Sequence, residues 1–128
     1  MAYPTGSGSE VLKRTTINAL ADTQTAFRWD GTMATTGTST YTVPALHIIT
    51  VLSVIFTDQS DGPDDISMYM NDGANNIYLF QTQPIAGKAT FVWNDKFVLM
   101  GGDKLVVFST SGANQDASCH YIDQNWED

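Results

Sequence analysis

Short runs of alternating hydrophobic and polar residues, separated by turn-forming residues, occupy most of the chain. The alternation is clear at residues 66–71, where Ile66, Met68 and Met70 alternate with more polar residues. No segment shows the 3.6-residue period of an amphipathic helix. Eight or nine strands are predicted, and the candidates are residues 11–18, 25–29, 47–57, 66–71, 77–80, 88–93, 96–100, 104–110 and 117–122. This pattern predicts an all-β fold, a single antiparallel β-sandwich of jelly-roll type.

The strongest predicted strand covers residues 47–57. One alternate face would carry Ile49, Val51, Ser53 and Ile55, and the other would carry Ile48, Thr50, Leu52, Val54 and Phe56. Because both faces are mainly apolar, we expect this strand to be central in its sheet and covered on both sides.

Turn residues mark the connections between the predicted strands. Asp72-Gly73 indicates a hairpin between residues 66–71 and 77–80, with a loop longer than two residues. The motif Pro84-Ile85-Ala86-Gly87 is expected to end that hairpin. The segment 58–65 is acidic, with Asp58, Asp61, Asp64 and Asp65. It is either a solvated loop or a calcium site, since carboxylates and loop carbonyls are calcium ligands.

The first nine residues, Met-Ala-Tyr-Pro-Thr-Gly-Ser-Gly-Ser, have the composition of an extended N-terminal arm. Pro4, Gly6 and Gly8 disfavour a helix, and Tyr3 could anchor the segment. Nine extended residues reach about 30 Å, enough to lie across a neighbouring subunit. We therefore predict an arm at residues 1–9 and a β-sandwich domain at residues 10–128. A disordered terminus is the alternative.

Composition and charge exclude several classes of function. Charged residues make up 16% of the 128 residues and the formal net charge is −8. Six Lys and Arg residues cannot form a stripe that tracks phosphates, which argues against nucleic-acid binding and against anionic membrane surfaces. The 25 Ser and Thr residues indicate a surface built largely from hydroxyl and amide groups.

The residues that could support catalysis are few and poorly placed. Cys119 and His120 are neighbours in a predicted strand, so their side chains should point to opposite faces. The other histidine, His47, lies at the start of the central strand, where a pair with Cys119 remains an open but disfavoured alternative. No cysteine cluster, Gly-x-Ser-x-Gly motif or phosphate loop is present in the sequence. We therefore expect no enzyme activity and no cofactor.

Aromatic residues allow two interpretations. Tryptophan and tyrosine could form a platform that stacks on sugars, as in carbohydrate-binding β-sandwiches, or they could fill the core and subunit interfaces. The second interpretation is favoured, with Trp126 as the best interface candidate. The aromatic residues are Trp29, Trp93, Trp126, Tyr3, Tyr41, Tyr69, Tyr78 and Tyr121.

Most of the chain resembles small virion proteins of tailed bacteriophages. The resemblance begins at the strand entry Val43-Pro44-Ala45-Leu46 and continues through Pro84-Ile85-Ala86-Gly87, Asp95-Lys96-Phe97-Val98-Leu99 and Gly101-Gly102-Asp103-Lys104-Leu105. The terminal Gly-Ser-Gly-Ser-Glu-Val-Leu and Tyr121-Ile122-Asp123-Gln124 are also similar. The sequence departs from the pattern at Leu46-His47, where Gly-Lys is more usual, so that turn is expected to differ in shape.

The resemblance implies a structural role in a virion. The expected protein is a capsid decoration (cement) protein that binds the outer surface of the head and stabilises it. It would form a homotrimer and contact the major capsid protein or other virion proteins. It would be made in the host cytoplasm without secretion and be located in the virion. The alternatives are a neck, tail or fibre component, or a carbohydrate- or receptor-binding module. The predicted capsid or subunit contacts are Tyr3, Pro4, Glu10 and Trp126.

Overall fold

A computed structural model describes residues 9–110 and 114–126 and shows two antiparallel β-sheets. Within these residues the structure has nine strands and no helix. Their bounds are β1 Ser9–Leu20, β2 Thr25–Ala26, β3 His47–Asp58, β4 Asp64–Asn71, β5 Asn76–Ile85, β6 Thr90–Trp93, β7 Phe97–Met100, β8 Lys104–Ser109 and β9 Gln115–Asn125. In this part of the chain there is accordingly no helix long and apolar enough to cross a membrane.

The strand order is that of a jelly roll, which confirms the predicted fold class. One sheet has the order β1-β9-β3-β6, with β7 also pairing with β3, and the other has the order β2-β8-β4-β5. Strands β6 and β7 pair with successive halves of β3, so together they fill one strand position. Consecutive strands otherwise alternate between the sheets, except for β4 and β5, which pair with each other in the second sheet. This is the arrangement of two interlocked Greek keys.

The core lies between the two sheets. Alternate residues of the first sheet, including Ile49, Leu99 and Tyr121, are fully buried against Met68 and Leu105 of the second. Ring contacts reinforce the two halves of this core. The rings of Trp29 and Tyr121 meet edge to face at 4.9 Å between centroids, and Phe56 meets Phe80 in the same manner at 5.7 Å.

Strand β3 is central, as predicted, but the prediction that it is covered on both sides is wrong. Its inner face is fully buried, whereas Ile48, Thr50 and Ile55 on its outer face are only partly buried. The reason is architectural: a sandwich has two layers, and the second sheet covers only the inner face of β3. No strand in the described residues packs over the outer face of the five-stranded sheet.

A β-bulge also changes the predicted faces of β3. The pairing with β9 shifts between Val51 and Ser53, which inserts Leu52 as an extra residue. Beyond the bulge the alternation is therefore reversed. As a result, Val54 and Phe56 share the buried inner face with Val51, although simple alternation assigned them to the opposite face.

Other strand limits differ modestly from the prediction. β2 includes only Thr25 and Ala26 of the predicted 25–29, and β5 continues through Pro84 and Ile85. Proline is tolerated there because β5 is an edge strand and needs no donor on its outer side. The predicted β4–β5 hairpin is present, with Gly73 at a φ of 96° in its loop.

Candidate functional site

The outer face of the five-stranded sheet has hydrophobic side chains that remain accessible. One cross-strand row consists of Leu12, Ile122, Thr50 and Val98, which are paired in that order across β1, β9, β3 and β7. Leu12 is 71% exposed and Val98 is 50% exposed, although both belong to regular strands. A contiguous exposed apolar patch of this kind is a candidate interaction site.

Two further rows extend this hydrophobic surface. Ile48 and Met100 are paired on one side of the first row, and Ile55 and Val92 are paired towards the other end of β3. A depression of about 440 Å³ lies over β9 at that end, where the exposed side chain of Met33 forms part of its lining. We name this region the outer face and define it by Leu12, Ile48, Ile55, Val92, Val98, Met100 and Ile122.

The predicted contact residue Glu10 lies at the border of the outer face. It is exposed on β1, and its Oε1 accepts a hydrogen bond from Gln124 Nε2 at 2.7 Å. Arg14 lies four residues further along the same strand, on the same face, and is also exposed. The outer face is therefore flanked by one acidic and one basic side chain on β1.

The predicted contact residue Trp126 lies directly after β9, next to the entry of β3. Its backbone N–H donates to the Leu46 carbonyl at 3.0 Å, and its side chain is partly buried. The indole Nε1 is buried and has no hydrogen-bond partner among the described residues. Its predicted role in a subunit contact stays a prediction. The other two predicted contacts, Tyr3 and Pro4, lie outside the described residues.

Two motifs of the phage resemblance meet beside Trp126. The amide of Val43 donates to the Asp103 carbonyl at 2.8 Å, and the amide of Gly102 donates to the Val43 carbonyl at 2.9 Å. A cavity of about 570 Å³ lies between the segments 42–46 and Gly101-Gly102. Leu46 adopts a φ of 61°, the left-handed region in which glycine is the more usual residue. The backbone at Leu46 is therefore strained, because a leucine is less stable than a glycine in this conformation.

A buried carboxylate joins three strands of the same sheet. Asp123 on β9 accepts a hydrogen bond from Lys13 Nζ on β1 at 2.9 Å, and its other oxygen lies 2.8 Å from His47 Nδ1 on β3. Its side chain is 4% exposed. His47 thus has a hydrogen-bond partner on the neighbouring strand.

The structure separates the candidate catalytic residues. Cys119 is fully buried on the inner face of β9, opposite Val54, whereas His120 faces outward, with its Nε2 3.3 Å from the Ser118 hydroxyl. The prediction that Cys119 and His120 point to opposite faces is confirmed. Burial raises the pKa of the Cys119 thiol far above its ordinary value. A thiol in this environment is not a nucleophile at neutral pH.

The acidic segment 58–65 does not converge on a shared ligand position. Asp58 is buried and accepts hydrogen bonds from the amide and hydroxyl of Ser60, whereas Asp64 accepts from the Asp65 amide and the Thr110 hydroxyl. Asp61 is exposed. Across residues 9–110 and 114–126, no three His, Cys, Asp or Glu side chains are grouped as metal ligands. The carboxylates instead stabilise local turns.

Aromatic side chains in the described ranges mainly fill the core. Trp29 and Tyr121 are buried in the core between the sheets, and the Trp93 indole donates to the Asp95 carbonyl while packing against this core. Tyr69 is buried in a smaller cluster with Ala26 and Val106 on the outer face of the second sheet. None of the tryptophans is exposed in the described part of the chain. A flat sugar-stacking platform of tryptophan rings is therefore not formed there, which favours the core interpretation.

The accessible residues of the outer face were not singled out from the sequence. Adjacent hydrophobic residues gave the only signal, as in Val11-Leu12 and in the run Phe97–Met100. In a strand, such pairs place one apolar side chain on each face. Because both faces then carry apolar side chains, the pattern does not distinguish the face that a second sheet covers from the face that stays accessible.

Comparisons with known proteins identify the fold and no family. No known family model and no curated protein matches the chain. Among solved structures, a protein of Bacillus endospore appendages, described as disulfide-linked pili, is similar over 99% of this chain and 97% of its own, with 17% identity and a TM-score of 0.52.

Two viral structures are more distantly similar. A protein of infectious bursal disease virus strain Gx matches 95% of this chain and 35% of its own, with 11% identity and a TM-score of 0.49. A protein of the virus-like particle of the extra small virus of the prawn Macrobrachium rosenbergii matches 100% of this chain and 86% of its own, with 10% identity and a TM-score of 0.46. At these identities the similarity concerns the fold, an antiparallel jelly-roll sandwich.

Proposed function

We propose that this chain is a structural protein of a tailed-bacteriophage virion, most specifically a capsid decoration protein that binds the outer surface of the head and stabilises it. The observation that supports this most is the outer face, where Leu12, Val92 and Val98 are each at least half exposed on a regular sheet. A surface of this kind suits contact with another protein. The assignment to a phage particle rests on the resemblance to small virion proteins of tailed bacteriophages.

The similarity to the appendage protein is consistent with a role in assembly. That protein is described as forming disulfide-linked pili, and its fold matches nearly the whole of this chain. The single cysteine of this chain is fully buried between the sheets. Any assembly of this chain would therefore be held by non-covalent contacts.

Decoration would stabilise a capsid by mass action. A protein that binds only the assembled lattice lowers the free energy of that state relative to the dissociated one. Repeated weak contacts on a lattice then add through avidity. With a net charge of −8, the chain would dock on basic patches of the capsid, and binding should weaken as salt screens the charges.

The proposal predicts that the N-terminal arm contributes to particle binding. Purified heads stripped of this chain should regain it on mixing with the full-length protein, at a fixed ratio to the capsid protein. Removal of residues 1–8, which leaves the Ser9–Asn125 pair intact, should lower the affinity about tenfold or more by removing one of two linked contacts. Occupancy is measured by quantitative mass spectrometry of sedimented particles.

A matched variant separates arm chemistry from arm length. Replacing Tyr3 and Pro4 with glycine keeps the length and should reproduce most of the loss, since Tyr3 is the anchor of the predicted arm. Unchanged occupancy of the heads by both variants would show that the arm does not contribute to particle binding. A chain that binds no heads but is found in necks, tails or fibres would favour those locations. Absence from all particles would refute the virion role.

The predicted copy number and the sugar-binding alternative have separate tests. The resemblance implies a homotrimer, which remains a prediction that the solution mass decides. A carbohydrate-binding module would show a change in tryptophan fluorescence with oligosaccharides. The partly or fully buried positions of Trp29, Trp93 and Trp126 lead us to expect no such change.

A further inference from the structure

Among the described residues, nothing pairs with the edge of the five-stranded sheet along the first half of β1. β1 pairs with β9 on one side and with no strand on the other among the described residues. On that open side, the carbonyl of Thr16 accepts a hydrogen bond from the Ala34 amide at 2.9 Å, and the carbonyl of Asn18 accepts one from the Thr36 hydroxyl at 2.7 Å. The loop at residues 32–40, which is rich in threonine, therefore covers the edge from Thr16 onward.

Alternation along the strand determines which backbone groups face outward before Thr16. Every second residue of an antiparallel strand directs both its N–H and its C=O to the same side. Glu10, Leu12 and Arg14 therefore present these groups to the open edge, as Thr16 does. No strand in residues 9–110 or 114–126 pairs with them. An uncovered edge of this kind is a template for pairing with another chain.

The side chains of Glu10, Leu12 and Arg14 indicate which partner strand would pair with the open edge of β1. Glu10, Leu12 and Arg14 are all exposed, and they place a negative, an apolar and a positive group at equal spacing on one face of β1. When the strand is turned end over end about Leu12, each charge takes the position of the opposite charge. This self-complementarity is the property that a two-fold contact between identical chains requires.

We propose that the first half of β1 pairs antiparallel with the same segment of a second copy of this chain, with Leu12 on the two-fold axis. Glu10 of each copy then lies opposite Arg14 of the other, and the two Leu12 side chains meet. The three outward N–H groups and three outward C=O groups of each strand find partners across the axis. The two sheets join into one continuous sheet, and their outer faces become a single larger surface.

Other registers of the same pairing are less favourable. Moving the axis to Lys13 places the two Lys13 residues opposite each other, and moving it to Arg14 places the two Arg14 residues opposite each other. Moving it to Val11 places Glu10 opposite Leu12 and leaves its charge unmatched. Like charges directly opposite in a sheet destabilise the pair, whereas opposite charges stabilise it. In the proposed register, Thr16 lies beyond the paired segment, so the covering loop need not move.

Charge exchange tests this contact directly. The association of the full chain is measured by sedimentation and light scattering over a range of concentrations. Glu10→Arg and Arg14→Glu should each weaken self-association about tenfold or more, because each turns two attractive pairs per dimer into repulsive ones. The double variant should restore most of the affinity. The matched controls are Asp95→Arg for Glu10→Arg and Lys96→Glu for Arg14→Glu, which make the same charge changes at the exposed turn between β6 and β7.

Several results would overturn the proposal. One is a solution mass equal to that of a single chain at all concentrations. Another is a dimer or trimer whose affinity is unchanged in both single variants. The third is a double variant that self-associates no more tightly than the single variants. The contact rests on the proposed function and adds a partner to it. The virion role and the β1 contact can nevertheless be refuted independently of each other. A charge-dependent dimer of a chain absent from particles would refute only the virion role. A virion protein whose association ignores Glu10 and Arg14 would refute only this contact.

Discussion

Replacing Ile49 with alanine is expected to lower the free energy of unfolding by about 3 kcal/mol, because it removes a fully buried side chain and leaves a cavity in a close-packed core. Ile49 lies at the middle of the five-stranded sheet, paired with Leu99 on one side and Asp123 on the other. Neighbouring strands on both sides therefore limit collapse around the cavity. Urea unfolding followed by circular dichroism measures the change.

The adjacent residue provides a matched control for this prediction. Ile48 has the same side chain on the same strand but points to the outer face, where it is partly exposed. Ile48→Ala should cost about 1 kcal/mol or less in the monomer, since less apolar area is buried there. Equal losses for the two variants would show that both faces of β3 are covered and would contradict the two-layer arrangement.

Replacing Asp123 with alanine is expected to cost about 2–3 kcal/mol, because a buried carboxylate holds two partners from neighbouring strands. The Lys13 ammonium and the His47 ring, 28% and 14% exposed, would lose their acceptor without gaining full hydration. The estimate is at the lower end for a buried pair since Lys13 keeps some contact with solvent. Thermal unfolding at neutral pH measures the loss.

An exposed ion pair gives the comparison for Asp123. Asp61 lies 3.9 Å from Lys88, and its side chain is 98% exposed. Asp61→Ala should leave the unfolding midpoint unchanged within error, since exposed pairs contribute little. If Asp123→Ala has as small an effect as Asp61→Ala, the three-strand ionic contact does not stabilise the sheet.

Strand positions were predictable from the sequence because side-chain alternation and turn residues are local signals. The position of β3 at the centre of its sheet was likewise predictable from its length and apolarity. The bulge at Leu52 was not, since it arises from the pairing with β9 and no residue in β3 marks it. The exposure of Leu12 and Val98 was not predictable either, because it depends on the absence of a third layer among the described residues.

The candidate site was predictable only in part for a similar reason. Glu10 was identified as a contact residue through its place beside the arm, and it does lie exposed on β1. Its relation to Arg14 becomes visible only when the open edge of β1 is known, because edge position is a property of the whole sheet. The pairing of Asp123 with Lys13 likewise joins residues 110 positions apart in the chain.

The solution mass of the full chain, measured by light scattering over a range of concentrations at low and moderate salt, tests most directly whether this protein is an assembly subunit. The account predicts a mass that rises with concentration from 14.0 kDa to a multiple of it. A mass of 14.0 kDa under all conditions would contradict self-association and would leave the open edge of β1 without the proposed partner.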